Sequence, residues 1–413
     1  MENARPANPG AYSGRSRSGA ARPGATPKSG AKMIVIASSR TVHRATRLVF
    51  FMAGATLAAW APLVPFTKSK LHIDDSSLGL LLLCFGLGAI AMMPLTGVLV
   101  GRYGCRRIIE VAAFCAFLAL LCLGNAPTAP LLALSLAIFG GAVGSLDVGI
   151  NMQAVLVESA SGVSLLSGFH GLFSAGGIGG AAVMSGLLSL GCPGPLAVVF
   201  MVLPLIGILL CARPSLLPDG KRGRHAARAS GSGFKRRILL LGLLCFILFL
   251  AEGSMLDWSA LFLIERTDSP ARSAGLGYTV FSAAMTIARL GGDRVIQRLG
   301  ERTVMFLGSL LAASGYFFAI LFPVSAIALL AFALIGMGIA NIVPMLFTFA
   351  AEQGESIGRT ISFLTTLGYT GLLAGPALIG FTIDHAGYNA AFAGIAILLL
   401  LVSASYRVAP ARH

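Results

Sequence analysis

A few ionisable and amide side chains stand inside stretches otherwise built from small and aliphatic residues. Asp147 and Asn151 lie in "LDVGINMQAVLVE" (146–158), Glu252 and Asp257 in "AEGSMLDWSALFL" (251–263), and His170 in "FHGLFSAGGIGG" (169–180). At the centre of a bilayer an aspartate costs about 2.5–3.5 kcal/mol on insertion scales, which makes each such group a functional candidate by default. The chemistry open to a desolvated carboxylate or imidazole is reversible protonation, because burial disfavours the charged form. Asp147, Glu252, Asp257 and His170 are therefore the candidates for proton coupling.

Each has a plainer alternative. Asp147 and Asn151 follow Gly140 and Gly144 at spacings of 4, 3 and 4, one helix face on which a structural interhelical bond is equally expected. Glu252 and Asp257 are five residues apart, about 140° around a helix, so one faces a cavity and the other pairs locally. His170 fits a proton relay, a gate contact or a hydrogen-bonded helix start. Asn151, Asn341, Thr366, Tyr369 and Thr370 are the candidates for hydrogen bonds to a solute. No second histidine stands at metal-ligand spacing, and no nucleophile, base and oxyanion donors occur together, so no metal, cofactor or enzymatic activity is expected.

The elements that must hold these groups are membrane helices. Of 413 residues 56% are hydrophobic and 11% charged, with a mean hydropathy of +0.84. Apolar runs of spanning length, about 20 residues each, recur at 48–66, 77–100, 108–127, 131–156, 164–190, 194–212, 238–264, 274–292, 303–322, 325–349, 360–383 and 388–406. They are continuously apolar rather than alternating, which favours helices over barrel strands. The glycines of 169–180 fall inside such a run. A phosphate-binding loop needs a strand before its glycines, so Ala175 and Gly179, and Gly176 and Gly180, read instead as small-residue packing positions.

The net charge of +15 is distributed by side. With the amino terminus in the cytoplasm, 27 of the 31 Lys and Arg fall on inner segments, against Lys68, Lys70, Arg266 and Arg272 outside. That asymmetry orients the chain with both termini cytoplasmic and makes nucleic acid an unneeded partner. Residues 1–42 read as a disordered tail, with Met33 as an alternative start, and 214–237 as a basic cytoplasmic linker between helical bundles at 43–213 and 238–407, with 408–413 as a second tail. The seven cysteines show no disulfide or zinc spacing.

The two halves repeat. Gly79, Phe85, Arg102, Gly104, Arg106, Gly140 and Gly179 find Gly275, Phe281, Arg298, Gly300, Arg302, Gly336 and Gly375 at the constant offset of 196. Two parallel six-helix repeats are the architecture of alternating-access carriers.

The segment "GVLVGRYGCRR" (Gly97 to Arg107) resembles the signature of the major facilitator superfamily: a glycine, three residues, an acid, a basic residue, any residue, glycine, any residue and two basic residues. Gly101 replaces the acid, so the family's charge-relay bond lacks its carboxylate. In the second copy, "DRVIQRLGER", Gln297 holds that place, but Asp293 comes four residues earlier, within helical reach of Arg289. With "TTLGYTGLLAGPALIGF" (365–381) and the segments above, the chain resembles bacterial inner-membrane permeases related to the fucose and sugar permeases, from the first span to the twelfth.

This resemblance implies an all-α membrane protein of twelve transmembrane helices in two pseudo-symmetric six-helix bundles. It also implies a gating role for Gly97, Arg102, Gly104, Arg106, Arg107, Arg289, Asp293, Arg298, Gly300 and Arg302. The expected function is secondary active transport of a small polar solute, sugar-like or an organic acid, coupled to protons, by a monomer in the inner membrane. A drug exporter is the competing transport reading, though the fourth span lacks the arginine and the fifth the proline typical of drug–proton antiporters. A membrane sensor that binds a partner through its basic tail or linker is the alternative of another class.

Overall fold

The computed structural model describes residues 39–72, 75–218, 236–267, 276–353 and 356–408. The tail 1–42, the linker 214–237 and the end 408–413 lie largely outside those residues. The first helix, α1 (Arg40–Ala58), starts ahead of the apolar run from Leu48 because Ser39 caps it, its hydroxyl accepting the Val42 N–H. A 3₁₀ turn at Ala61–Leu63 and a short helix at Val64–Leu71 follow.

Then come α2 (Asp75–Tyr103), α3 (Cys105–Asn125), α4 (Ala129–Ser161), α5 (Leu166–Ser189) and α6 (Gly194–Ala212). The second half holds α7 (Arg236–Thr267), α8 (Leu276–Leu299) and α9 (Glu301–Leu321). Helix α10 is in two pieces, Ser325–Ile339 and Ile342–Ala351. The stretch Ile357–Ala404 is two helices joined at Gly387 (φ 80°, ψ 170°), α11 over 357–386 and α12 over 388–404.

By length and composition ten stretches of the described residues can cross a membrane, the joined pair α11 and α12 counting once. Helix α8 is 24 residues long but carries Arg289, Asp293, Arg294 and Arg298, which keeps it out of that set. The total is the twelve helices expected.

The internal repeat is visible in the backbone. Gly104 (φ 85°) and Gly300 (φ 78°) turn the chain into α3 and α9, and Gly191 (φ 79°) and Gly387 (φ 80°) turn it into α6 and α12. Each pair is 196 residues apart, at a φ where a side chain costs about 1–2 kcal/mol. Packing repeats as well: a side chain on Gly140 would strike the Phe85 carbonyl, and one on Gly336 the Phe281 carbonyl. Helix pairs α1–α5, α2–α4 and α3–α4 recur as α7–α11, α8–α10 and α9–α10. The two six-helix bundles then meet through α2 on α11 and α5 on α8.

Small residues make the close contacts, as glycine permits where no hydrophobic force drives helices together. Gly176 and Gly180 of α5 lie against the backbone of Phe51 and Ala55 on α1, and Gly54 of α1 against Phe173. This confirms the packing reading of "FHGLFSAGGIGG".

Candidate functional site

Asp147 and Asn151 are one turn apart on α4, so the Asn151 amide reaches back, its Nδ2 donating to the Asp147 carbonyl at 2.9 Å and to Oδ1 at 3.0 Å. With Nδ2 spent there, the remaining amide oxygen is an acceptor. It lies 3.0 Å from His170 Nε2 on α5, which therefore carries the proton in this arrangement. The imidazole is flanked by Phe50 of its own bundle (centroids 5.3 Å) and Phe347 of the other (6.1 Å). It stands one turn inside α5, which argues against a helix-start role.

One turn further along α5, Ser174 donates to the His170 carbonyl and accepts from Arg289 Nη1 at 3.1 Å, a bond between the two bundles. Arg289 is tied on two further sides. Its Nε donates to the Ala340 carbonyl at 3.2 Å and its Nη2 to Glu252 Oε2 at 3.5 Å. The Ala340 carbonyl is free to accept for a covalent reason: Pro344, four residues on, has no N–H, so the helical bond is missing and α10 breaks there. Arg289 satisfies the orphan, as a broken membrane helix requires.

Glu252 stands midway along α7 with its side chain 30% exposed, while Arg289 is 10% exposed. Tyr369 on α11 is half-buried, its ring against Phe249 of α7 (centroids 5.9 Å). Asp257 is exposed near the far end of α7, beside Trp258, whose ring packs on Tyr388 (centroids 6.4 Å). Thr366 and Thr370 turn their hydroxyls to the carbonyls one turn back, at 2.7 and 2.8 Å. Asn341 is 7% exposed and donates to the Ala288 carbonyl at 3.4 Å in the α8–α10 contact.

A second polar layer closes the end of the molecule where α1 begins, an end fixed by His43 of α1 bonding Ser161 of α4 at 2.8 Å. Asp293 does not pair with Arg289 as its spacing suggested. Its carboxylate crosses to the other bundle and accepts the Ser167 and Gly168 N–H groups at 3.1 and 3.0 Å, capping α5. Those N–H groups are orphans of a helix start and carry its positive dipole end, so a carboxylate is the favoured partner.

Glu158 accepts the Leu165 and Leu166 N–H groups and the hydroxyl of Thr348 on α10, and Gln297 reaches the Ser164 carbonyl at 3.4 Å. On the pseudo-symmetric side the place of Asp293 is held by Gly97: Gly101 opens on empty space, and Gly97 lies directly against Gly358 and Ser362 of α11. Ser362 donates to the Met93 carbonyl there.

Of the remaining motif residues, Arg106 binds Glu110 at 2.9 Å, and Glu110 also holds Arg213 at 2.8 Å. Arg102 lies over the Tyr103 ring at 5.3 Å, and Arg107 and Arg298 are exposed. Arg289, grouped by the motif with the inner loop, belongs instead to the central network. Among the described residues no three His, Cys, Asp or Glu side chains are grouped as a metal ion needs.

Sequence reasoning missed Ser174, Glu158, Thr348 and Ser362 as working residues. The signal available for Glu158 was its place as the acid that ends the apolar segment 146–158. For Ser174 it was helical spacing of four from His170.

The Asp293 cap yields a measurable expectation. Asp293→Asn removes the charge and one of two acceptors, weakening closure by about 1–2 kcal/mol. With the seven native cysteines replaced, a thiol placed by Ser167→Cys, buried at 1% exposure, should alkylate about tenfold faster in the Asp293→Asn background. An unchanged rate would remove Asp293 from the gate.

Comparison with known proteins places the chain. Residues 47–371 and 270–413 match the Major Facilitator Superfamily, to which the chain belongs. It is 47% identical over 368 residues to an uncharacterised MFS-type transporter of Yersinia pestis, covering 88% of this chain and 94% of that one. It is 32% identical over 360 residues to the membrane protein MosC of Rhizobium meliloti, covering 86% of each.

Among solved structures, the outward conformation of FucP matches 89% of this chain and 99% of its own (TM-score 0.73, 16% identity). The human organic anion transporter MFSD10 matches the same shares (0.70, 18%). The proton:xylose symporter XylE matches 91% and 95% (0.67, 13%). The protein is thus a multi-pass membrane protein and a secondary transporter of a small solute, not an enzyme.

Proposed function

We propose that the protein is a proton-coupled carrier that takes up a small, hydroxyl-rich solute by alternating access, both termini lying in the cytoplasm of a cell whose inner membrane it spans. The observation that carries this reading is the run of polar contacts from Asp147 through Asn151, His170 and Ser174 on one bundle to Arg289 and Glu252 on the other. A network that crosses the interface must break or re-form when the bundles rock, so its carboxylates change surroundings with the transport state.

A carboxylate held by Arg289 in one state and released in the other binds a proton differently in each. That difference in affinity is what links a proton gradient to solute movement. Asn151 is an amide and does not pass protons on; it fixes Asp147 and the His170 tautomer. The polar closure at the α4–α5 end, with a network beyond it still partly exposed, corresponds to a carrier open to the outside.

Charge bears on the solute. Asp147 and Glu252 contribute two carboxylates to the network against one arginine, and Arg289 is already engaged on three sides. Among the described residues of the network an organic anion would meet repulsion with no free cation, whereas hydroxyl groups find acceptors and donors in Tyr369 and the carboxylates. This favours a sugar or polyol over an organic acid, in line with the fucose:proton and proton:xylose symporters among the fold relatives.

The test is uptake into proteoliposomes, acidic outside, from a panel of sugars, polyols, organic acids and amphiphilic cations. Concentrative entry of a neutral hydroxylated solute is expected. Expulsion of amphiphilic cations would show the exporter instead, and absence of any flux the sensor.

A further inference from the structure

Away from the central network, α2, α3 and α4 leave a cavity of about 410 Å³ on the outer side of the first bundle. Met92, Leu99, Ile108, Val111, Ala137 and Ile138 are among its walls, and Val111 and Ile138 are 62% and 50% exposed, so it opens toward the bilayer. The hydroxyls that line it, Thr96 and Ser145, bond each other at 2.8 Å, which leaves little for a polar solute to grip. Gly141 keeps the space open, since a Cβ there would stand 2.9 Å from the Met92 side chain. An apolar occupant fits such walls.

One end of the cavity is basic. Arg102 follows Leu99 by three residues near the end of α2 and Arg107 directly precedes Ile108 near the start of α3, so both stand within a turn of residues that line the cavity. Both are exposed, and among the described residues neither makes an ion pair, unlike Arg106 between them, which is bound to Glu110. Two exposed guanidinium groups at the rim of an apolar slot define an amphiphile: an anionic head at the membrane surface, with a hydrocarbon tail.

We infer that this is a binding site for an anionic phospholipid, its phosphate between Arg102 and Arg107 and one acyl chain in the cavity. The lipid would clamp α2 to α3 and α4. Because α2 also carries Gly97, which closes on Gly358 of α11, occupancy steadies the helix on which that contact depends. The inference holds whatever solute the carrier moves.

The full-length protein, delipidated in detergent, is titrated with long-chain phosphatidylglycerol, phosphatidylcholine, dihexanoyl-phosphatidylglycerol and inorganic phosphate. Native mass spectrometry counts bound lipid and thermal unfolding reports stabilisation. Long-chain phosphatidylglycerol should bind saturably and about thirtyfold tighter than phosphatidylcholine, the preference expected from two arginines. Arg102→Gln with Arg107→Gln should remove that preference, and Val111→Trp, which fills the mouth, should weaken both lipids.

Should the double variant fold poorly, Arg107→Gln alone, at an exposed position, should lose about fivefold. Equal binding of the two long-chain lipids overturns the inference. So does wild-type affinity in the arginine and Val111 variants, or full stabilisation by inorganic phosphate alone, which would mark an ion site without a lipid.

Discussion

Replacing Asp147 by Asn together with Glu252 by Gln should abolish accumulation driven by a pH gradient while leaving solute exchange at equal pH. One pH unit is worth about 1.4 kcal/mol per proton, a tenfold concentration of solute at one proton per solute. The double variant should therefore fall from about tenfold accumulation to none, because neither amide can take up a proton. The single variants divide the role. Asp147→Asn keeps the bond pattern on α4, whereas Glu252→Gln keeps a neutral partner for Arg289. Whichever single variant loses coupling carries the proton. Undiminished accumulation in the double variant would reject both.

Arg289→Met should have the largest effect on the structure itself. The guanidinium joins α8 to α5, α7 and the broken α10 at once, and its loss leaves the Ala340 carbonyl without a donor and Glu252 without its cation. An orphaned buried carbonyl costs about 1–3 kcal/mol and breaking a largely buried ion pair about 3–5 kcal/mol by itself. These overlap, so a total of about 3–5 kcal/mol is expected, read as a fall in thermal stability in detergent and a loss of transport.

Arg289→Lys keeps the charge, but an ammonium cannot reach three partners in fixed directions. It should be intermediate in stability and poor in transport. A Met variant as stable as the parent would show that the network does not organise the interface.

The parts of this arrangement that the chain spelled out in advance are those set by local geometry. Spanning helices follow from apolar length alone, and the shared face of Asp147 and Asn151 follows from a spacing of four on one helix, although their bond to each other replaces the interhelical one expected. The paired turns at Gly104 and Gly300 were legible because only glycine suits their φ.

What escaped were partners brought together by tertiary packing. Arg289 meets Ser174 across 115 residues and Glu252 across 37, and no periodicity encodes such a meeting. Asp293 has backbone N–H groups as its partners, and any sequence supplies those. A local clue for Arg289 did exist: Pro344 leaves the Ala340 carbonyl free, and a membrane interior demands a donor for it. The start of α1 at Arg40 was hidden because its first turns carry Arg40, Arg44 and Arg47, which hydropathy alone assigns to a tail.

Passage of solute between the bundles requires them to move apart at the closed end, where Ser164 and Gln297 are in contact. Cysteines introduced at both positions in a chain without its native thiols, and joined by a short reducible cross-linker, should stop solute flux in proteoliposomes and restore it on reduction. Full flux with the cross-link complete would mean that this end never opens, and that the solute does not pass between the bundles.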